Sequence, residues 1–192
     1  MDLVDTIELK WLPLDNCPSG QLSKSNSTDA GYDLKIAEDI VLDKEKTNYS
    51  WVEVCKKKDF SKNIPDSYKL GGYIKEKDGV LYRRKYTPQL VKTGICIKPN
   101  RLMWNAIHIR SSIATKFRTS LANNIGVIDY SYSSAEDELM LALISDIPMI
   151  FHKGERLAQL IPMEHKHLKL LKVSKDEFEG QTPRGGFGST GM

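Results

Sequence analysis

The chain has 192 residues, of which 40% are hydrophobic and 28% are charged, and this composition is typical of one soluble domain with a sizeable core. Its 28 Lys and Arg against 25 Asp and Glu leave a formal net charge of +3, which excludes a strongly basic protein that binds polyanions over its whole surface. The three cysteines, Cys17, Cys55 and Cys96, form no C-x-x-C pair, which argues against a disulfide framework or a zinc ribbon and predicts free thiols.

Short runs rich in β-branched and aromatic residues, bounded by turn-forming residues or Lys, recur along the chain and predict β-strands. In chain order they are TIELKWL (6–12), YSWVEV (49–54), QLVKTGICI (89–97), MWNAIHI (103–109), IGVI (125–128), ELMLALI (138–144) and RLAQLI (156–161). No stretch keeps a helical period over a dozen residues with a cap at each end. We therefore predict an all-β barrel or sandwich in a single domain spanning residues 1–192.

Residues 44–87 differ in composition from the rest of the chain and are dense in Lys, Tyr and Asp. Within them, GGYIKEK and VLYRRKY flank Asp78-Gly79, and Asp-Gly between two strand-like runs is a strong hairpin signal. We predict an inserted β-hairpin at this position. Its basic, aromatic surface is either a solvated face or a contact surface for a protein partner or a nucleic acid.

Two segments combine glycine, carboxylate, cation and hydroxyl groups near strand ends. DAGYDL at residues 29–34 places Asp33 after a glycine and an aromatic residue, although taken alone it is an ordinary strand entry. In IRSSIATK at residues 109–116, Arg110 is followed by Ser111 and Ser112. One cation and two hydroxyls can bind phosphoryl oxygens, or they can form a plain turn.

Two further segments place single polar residues at the end or in the middle of a strand. LANNIGVIDYSY at residues 121–132 carries Asp129 at the end of an apolar run, where it is either a general base or the first residue of a turn. HKGERLAQLIPM at residues 152–163 carries Gln159 in an apolar strand, and such a glutamine requires a buried partner or a ligand.

The segment TPRGGFGSTGM at residues 182–192 has the composition of a phosphate-binding loop. Such loops normally precede a helix whose N–H groups face the phosphate, and this segment has no room for a helix after it. The segment is therefore either a disordered tail or a segment that holds phosphate in another way.

Taken in order, the segments AGYDL, RSS, N-x-I-G-V-I-D-x-x-Y, G-x-R-x-A-Q-L and R-G-G-F-G-S-T-G resemble the motifs of the trimeric dUTP diphosphatase family, the dUTPases. The resemblance runs from about residue 29 to 191 and is interrupted by residues 44–87. It implies a jelly-roll-like β-barrel protomer and a homotrimer whose active sites are shared between subunits. It also implies hydrolysis of dUTP to dUMP and pyrophosphate, by water attack on the α-phosphorus, with Mg²⁺ held mainly by the triphosphate and by waters.

In this resemblance, the third motif would bind the nucleoside and supply the general base. Asp129 would orient and activate the water, and Tyr132 would press on the deoxyribose and reject a 2′-hydroxyl. Asn123, with main-chain groups around Gly126 and Ile128, would read the uracil edge from a narrow hairpin, which would also exclude the methyl group of thymine.

The remaining motifs hold the phosphates. Arg110, Ser111, Ser112 and Gln159 would bind phosphates and metal-bound waters, and Asp33 would support that water network. The last motif would form a flexible C-terminal arm over residues 180–192, whose glycines let the backbone wrap closely over a ligand. In this arm, Phe187 would cover the uracil, Gly188 would allow a close backbone approach, and Ser189, Thr190 and Arg184 would reach the γ-phosphate.

The chain departs from the family pattern at two places. After Tyr132, the insertion SSAEDEL brings Glu136, Asp137 and Glu138 near the site, where they either repel the substrate or point to solvent. The spacing between Arg184 and the Gly-Phe pair is shorter than usual in the family. The resemblance therefore supports Ser189 and Thr190 as γ-phosphate ligands more strongly than Arg184.

Alternative functions remain at this point. The dCTP deaminases share the fold and an Arg-Ser-Ser segment, and a dUTPase-like trimer acting as a regulatory protein through residues 44–87 is a further alternative. His165 and His167 have the spacing of two zinc ligands on one strand, or of a solvated strand end. The N-terminal sequence lacks a basic, apolar signal peptide and no run is long enough to span a bilayer, so we expect no membrane partner and a cytoplasmic protein, in the host cytoplasm if the source is a phage or virus.

Overall fold

Most of the regular structure is β-strand, arranged as antiparallel sheets around one core. The computed structural model describes residues 7–42, 49–166, 168–178 and 180. In chain order, the elements are β1 (Lys10–Pro13), β2 (Tyr32–Lys35), β3 (Ile40–Leu42), β4 (Tyr49–Lys56), α1 (Asp66–Leu70), β5 (Ile74–Lys77), β6 (Val80–Tyr86), β7 (Gln89–Lys98), β8 (Met103–Ile109), α2 (Ser111–Phe117), β9 (Thr119–Leu121), β10 (Gly126–Ile128), β11 (Glu138–Ser145), β12 (Met149–Phe151) and β13 (Arg156–Glu164), with 3-10 turns at Lys57–Asp59 and Lys175–Phe178.

Two four-stranded sheets form the body of the protein. Their strand orders are β1-β7-β11-β9 and β10-β8-β13-β2, and β12 pairs with β3 in a small third sheet. Every strand pair is antiparallel. This is a jelly-roll-type arrangement of short strands, and the prediction of an all-β fold is confirmed.

The core is formed by alternate residues of the central strands. On β11, Leu139, Leu141 and Leu143 are at most 1% exposed, whereas Met140 and Ile144, which point the other way, are 41% and 42% exposed. Complete burial of each leucine stabilises the fold by about 2 kcal/mol. The alternation therefore fixes which face of the sheet is internal, because a shift of one residue would expose all three leucines.

The inserted segment folds as a small sheet of its own, with strand order β4-β6-β5. Asp78 and Gly79 have φ angles of 52° and 73°, and Lys77 pairs with Val80 across this turn. Two successive residues with positive φ are what a two-residue type I′ hairpin turn requires, so the hairpin prediction is confirmed. The hairpin is not alone, however, because β4 adds a third strand on the other side of β6 and α1 precedes β5.

Two further expectations concern thiols and membranes. Cys17, Cys55 and Cys96 are free thiols. Among the residues that the structure describes, no helix combines the length and the apolar character that crossing a bilayer requires.

Candidate active site

Three neighbouring strands, β2, β13 and β8, bring together polar residues from three of the sequence motifs. Gln159 on β13 lies directly opposite Asp33 on β2 and His108 on β8. Residues that face each other in an antiparallel pair project from the same side of the sheet, and Arg110 follows His108 by two residues. Asp33, Gln159 and Arg110 therefore belong to one surface, the outer face of this sheet.

Asp33 is the centre of a buried charge cluster. The residue is 3% exposed; Oδ1 accepts a hydrogen bond from Arg110 Nη1, and Oδ2 accepts one from Arg156 Nη1 at 3.0 Å. The backbone N–H of Arg110 donates to the carbonyl of Leu157 at 2.8 Å, which fixes the start of the Arg side chain. Hydrogen bonds between ionised groups are the stronger kind, so Asp33 holds two guanidinium groups in place while their other N–H groups stay available.

A polar pocket of about 380 Å³ opens beside this cluster and is lined by Lys35, Arg110, Ser112, Gly154, Glu155 and Arg156. Three of the lining side chains are cationic and one is a carboxylate. Glu155 already accepts a hydrogen bond from the backbone N–H of His152 at 2.7 Å, so its charge has a local partner. With Asp33 also counted, three cations against two carboxylates leave an excess of one positive charge, which favours an anionic ligand such as a phosphate chain.

Arg156 and Lys35 belong to this pocket and were not among the predicted site residues. The signal for Arg156 was present, because it is the arginine of the G-x-R-x-A-Q-L segment. Ser112 lines the pocket, whereas Ser111 is exposed and is not a lining residue.

Gln159 is half-buried, and no side-chain hydrogen bond is found for it within the described part of the chain. The β2 backbone approaches it closely, since a Cβ atom at Gly31 would lie 3.2 Å from Gln159 Cβ. The glycine of the AGYDL segment therefore makes room for the glutamine, whose amide remains available to a ligand beside Asp33.

The third motif lies at the other end of the same sheet. Gly126 on β10 is paired with Ile107, and Ile128 with Asn105. A Cβ atom at Gly126 would lie 3.0 Å from Ile107 Cβ, so glycine lets β10 lie close against β8. Asp129 follows directly and is exposed, with Oδ1 accepting a 2.7 Å hydrogen bond from Ser131 Oγ.

Asp129 borders a pocket of about 700 Å³ with a largely apolar lining. Its other lining residues are Arg101, Met103, Trp104, Val127, Tyr130, Ser131 and His165. An exposed carboxylate beside an apolar surface can accept a proton from a water molecule and is accessible to a substrate.

Tyr132 and Ile128 are half-buried and pack against the core. The Tyr132 hydroxyl donates to the backbone carbonyl of Glu138 at 2.8 Å. Burial raises the pKa of Tyr132 above its ordinary value, and the nearby Asp137, Cys96 and Glu138 raise it further. The ring is thus held in one position in its neutral form.

The uracil-reading hairpin expected around Asn123 is not formed in the predicted way. Asn123 is exposed in a turn with Asn124 at φ 65°. β9 before this turn pairs with β11 in one sheet, and β10 after it pairs with β8 in the other. The segment therefore passes from one sheet to the other, and β9 and β10 each pair with a longer strand, not with each other.

The acidic residues after Tyr132 have structural partners. Glu138 Oε1 accepts a hydrogen bond from the Gly94 backbone N–H at 2.8 Å, and Asp137 Oδ2 accepts one from Ser134 at 2.9 Å. Only Glu136 of the three is fully exposed. Two of the carboxylates thus stabilise the loop, which does not support the interpretation that all three repel a substrate.

Asp129 and the cationic pocket are far apart within one chain. The register of β10 against β8 places Asp129 level with Trp104, whereas Arg110 follows the other end of β8. Six residues of extended strand separate these levels, which corresponds to about 20 Å. The structure therefore brings Asp33, Arg110, Ser112 and Gln159 together, but not with Asp129 or Tyr132 of the same chain.

Several predicted site residues lie outside the described part of the chain. They are the arm residues Arg184, Phe187, Gly188, Ser189 and Thr190, and their roles stay predictions. The histidine pair is only half described: His165 donates its backbone N–H to Leu102 at 2.7 Å, and His167 lies outside the described residues.

The fold and the two polar clusters define a jelly-roll-type protein with a cationic pocket and, at the other end of the same sheet, an exposed carboxylate. The family model for dUTPases matches residues 75–191, which is more than half of the chain. The chain belongs to the dUTPase family.

Curated relatives agree with this membership. The chain is 35% identical over 115 residues to a deoxyuridine 5′-triphosphate nucleotidohydrolase of Hydrogenobaculum sp. (strain Y04AAS1), which covers 60% of this chain and 78% of that protein. It is 33% identical over 106 residues to the protein of the same name in Mycobacterium tuberculosis (strain ATCC 25618 / H37Rv), covering 53% of this chain and 69% of that protein.

Solved structures share the fold at low sequence identity. A dUTPase of Staphylococcus bacteriophage 80alpha has a TM-score of 0.60 and 19% identity, and the match covers 97% of this chain and all of that one. The dUTPase from Streptococcus mutans has a TM-score of 0.53 and 18% identity, with 83% of this chain and 98% of that chain covered. The match to the phage protein covers a larger share of this chain than the match to the Streptococcus mutans protein does.

Proposed function

We propose that this protein hydrolyses dUTP to dUMP and pyrophosphate, and that it does so as a homotrimer with active sites between subunits. Family membership and the names of the relatives support the substrate. The cationic pocket around Arg110 and Arg156 supports it from the chemistry of the site, because a triphosphate carries the charge that this pocket lacks.

In the proposed mechanism, Asp129 accepts a proton from a water molecule as the water oxygen attacks the α-phosphorus. The bond between the α-phosphorus and the bridging oxygen to the β-phosphorus breaks, and pyrophosphate leaves with the electron pair. Arg110 and Arg156, held by Asp33, and Lys35 bind the phosphate oxygens on which negative charge is distributed. Positioning and charge stabilisation of this kind supply most of the catalysis of phosphoryl transfer.

The residues present fit a Mg²⁺ ion held mainly by the substrate. Among the described residues, no three His, Cys, Asp or Glu side chains form a cluster that could enclose a metal, and both oxygens of Asp33 pair with arginines. Mg²⁺ commonly keeps several waters and binds through substrate phosphates, and it would neutralise charge on the triphosphate. The amide of Gln159 would hold metal-bound water, and the expected role of Asp33 in that water network remains part of the proposal.

The proposal of a shared site depends on the position of Asp129 and Arg110 at opposite ends of β8, about 20 Å apart along the strand. A base at that distance cannot deliver water to a phosphate bound at Arg110, so a second copy must supply one of the two. The outer face between these ends is apolar: Val127 is 61% and Met163 is 41% exposed. Such a face on a soluble protein is suited to packing against another subunit.

The C-terminal part of the described chain supports the same assembly. Leu168, Leu170 and Leu171 are 80%, 89% and 69% exposed in a segment without strands or helices. Three large apolar side chains left in water within four residues favour burial against a neighbouring subunit.

The specificity proposal follows the family resemblance. The Tyr132 ring is held by the core and by its hydrogen bond to Glu138, and a fixed ring can reject the 2′-hydroxyl of UTP. Asn123, with main-chain groups around Gly126 and Ile128, would read the uracil from the turn between β9 and β10, and Phe187 in the arm would cover it.

The test is pyrophosphate release from dUTP, dCTP, dTTP and UTP with Mg²⁺, for the protein and for Asp129→Asn. We expect turnover of dUTP alone, with Asp129→Asn slower by orders of magnitude but still able to bind a non-hydrolysable dUTP analogue. Ammonia release from dCTP would instead identify a deaminase. A folded protein without turnover of any of the four would favour the regulatory alternative.

A further inference from the structure

The inserted sheet carries an unusual share of the positive charge and of the aromatic residues. Residues 49–86 contain ten Lys or Arg and five Asp or Glu, a net charge of +5, whereas the whole chain has +3. The other residues together are therefore slightly acidic. The same segment holds seven of the sixteen Phe, Tyr and Trp residues of the chain.

The strand register places aromatic and basic residues of the inserted sheet on one face. Trp51 on β4 lies opposite Arg84 on β6, and Lys75 on β5 lies opposite Tyr82 on β6. Tyr82 and Arg84 are two residues apart on one strand, so all four side chains project from the same side. We call this side the aromatic face.

Cations and rings alternate across the aromatic face. Lys75 Nζ lies 4.5 Å from the centre of the Trp51 ring and 5.3 Å from that of Tyr82. The Arg84 guanidinium lies 5.8 Å from the Trp51 ring and 5.7 Å from that of Tyr73. These are cation–π distances, and they keep the charges beside the rings.

The outer members of the face are accessible to a ligand. Tyr73 is 55% exposed and Tyr86 is 48% exposed. Lys77 and Lys56, both opposite Val80, continue the face toward the hairpin turn and are exposed. The strand register also places one carboxylate, Glu53, on this side, opposite Tyr82. Since the four cations of the face outnumber it, the net charge of the face is positive.

The two faces of the sheet differ in character. Leu81 projects away from the aromatic face and is only 3% exposed, and Lys57 pairs with Glu76, which lies opposite Leu81, at 2.8 Å. The opposite face thus supplies the apolar contacts of the insertion. On the aromatic face, Tyr73 and Tyr86 are exposed, and Trp51 and Tyr82 are half-buried.

We propose that the aromatic face binds single-stranded DNA. A cationic surface that follows a phosphate backbone, with aromatic rings on which bases stack, is the general chemistry by which proteins bind single strands. Base pairs in a duplex hide their faces, so exposed rings on a sheet favour unpaired bases over a double helix. An acidic protein would satisfy the charges but would not use the rings in this way.

The test is fluorescence anisotropy of the full protein with a labelled oligothymidylate of about 16 nucleotides. An abasic oligomer of equal length is the matched ligand, because it keeps the phosphates and lacks the bases. We expect the oligothymidylate to bind at least ten times more tightly than the abasic oligomer and than a duplex of equal length. Equal affinity for all three, or no binding at low salt, would overturn the proposal.

Variants separate the aromatic face from general charge. Lys75→Gln/Arg84→Gln removes two cations from the aromatic face, and Arg83→Gln/Lys85→Gln removes two exposed cations from the other side of the same strands. We expect at least a tenfold loss of oligothymidylate affinity for the first variant and less than threefold for the second. Equal losses would contradict a specific face.

A third variant, Tyr73→Ala/Tyr86→Ala, keeps every charge and should abolish the preference for oligothymidylate over the abasic oligomer. Unchanged dUTP turnover and thermal unfolding midpoint establish that each variant is folded, since none of these residues lies in the proposed active site. A different result would overturn the proposal: the unmodified protein binds oligothymidylate and the abasic oligomer equally well, and polyglutamate displaces the bound oligomer. This result would show that an acidic protein surface is the better partner.

Discussion

Replacing Asp33 by Asn would test the role of this carboxylate in holding two arginines. The side chain is 4% exposed, against 25% for Arg110 and 47% for Arg156, so the Arg110 contact is the better shielded. Asn keeps one acceptor oxygen, but its N–H₂ group would face a guanidinium, and both of these groups are hydrogen-bond donors. One charge-assisted hydrogen bond, worth 1.5–3 kcal/mol in general, is lost and a buried charge loses its partner. Since water reaches Arg156, we expect a destabilisation of about 3 kcal/mol.

The assay is urea unfolding at fixed protein concentration, because the stability of an oligomer depends on that concentration. Asp146→Asn is the matched control: its partner Arg118 lies at 3.4 Å, and the side chains are 69% and 63% exposed, so a change below about 0.5 kcal/mol is expected. Steady-state kinetics should show kcat/KM for dUTP reduced about tenfold or more, since both arginines lose their common anchor. A destabilisation no larger than that of Asp146→Asn, with unchanged kinetics, would refute this reasoning.

Two further substitutions test the third motif. Tyr132→Phe removes the hydrogen bond to Glu138 and should lower the free energy of unfolding by about 1 kcal/mol. Burial raises the pKa of Tyr132 above 10.0. The neutral phenol therefore stabilises the fold fully below pH 10, and this stabilisation is lost as pH rises through the raised pKa. The stability of the unmodified protein should thus fall above pH 10, and a Phe variant with an equally steep fall would contradict this cause. Gly126→Ala puts a methyl group 3.0 Å from Ile107 Cβ and should cost about 1–3 kcal/mol by separating β10 from β8, measured by urea unfolding; an unchanged midpoint would show that the strands can separate freely.

Long strands with regular alternation could be predicted from the sequence, and most short elements could not. β8 begins and ends where the MWNAIHI run does, and β7 and β11 match to within a residue. β3, β9 and β12 have three residues each, too few for a pattern; β9 pairs with the longer β11, and β3 and β12 pair with each other. Helix α2 was missed for the same reason, since its seven residues are less than the length over which helical periodicity can be recognised.

The residues of the candidate site could be found from the sequence, but their partners could not. Asp33 and Arg110 were recognised as separate motifs, yet they are 77 residues apart and only the strand order β8-β13-β2 brings them into contact. The same order explains why Arg156 became part of the site. Sequence spacing also gave no indication that Asp129 lies at the opposite end of β8, because this depends on the register of β10.

Subunit mixing tests whether Asp129 and Arg110 of one active site belong to different subunits, as proposed. Asp129→Asn and Arg110→Gln would each be inactive alone and would be unfolded and refolded together in equal amounts. If each site takes one residue from each of two subunits, random assembly leaves about a quarter of the sites intact, so about a quarter of the unmodified dUTP turnover should return. No recovery of turnover in properly reassembled mixed oligomers would mean that both residues act within one chain, and would contradict the shared site.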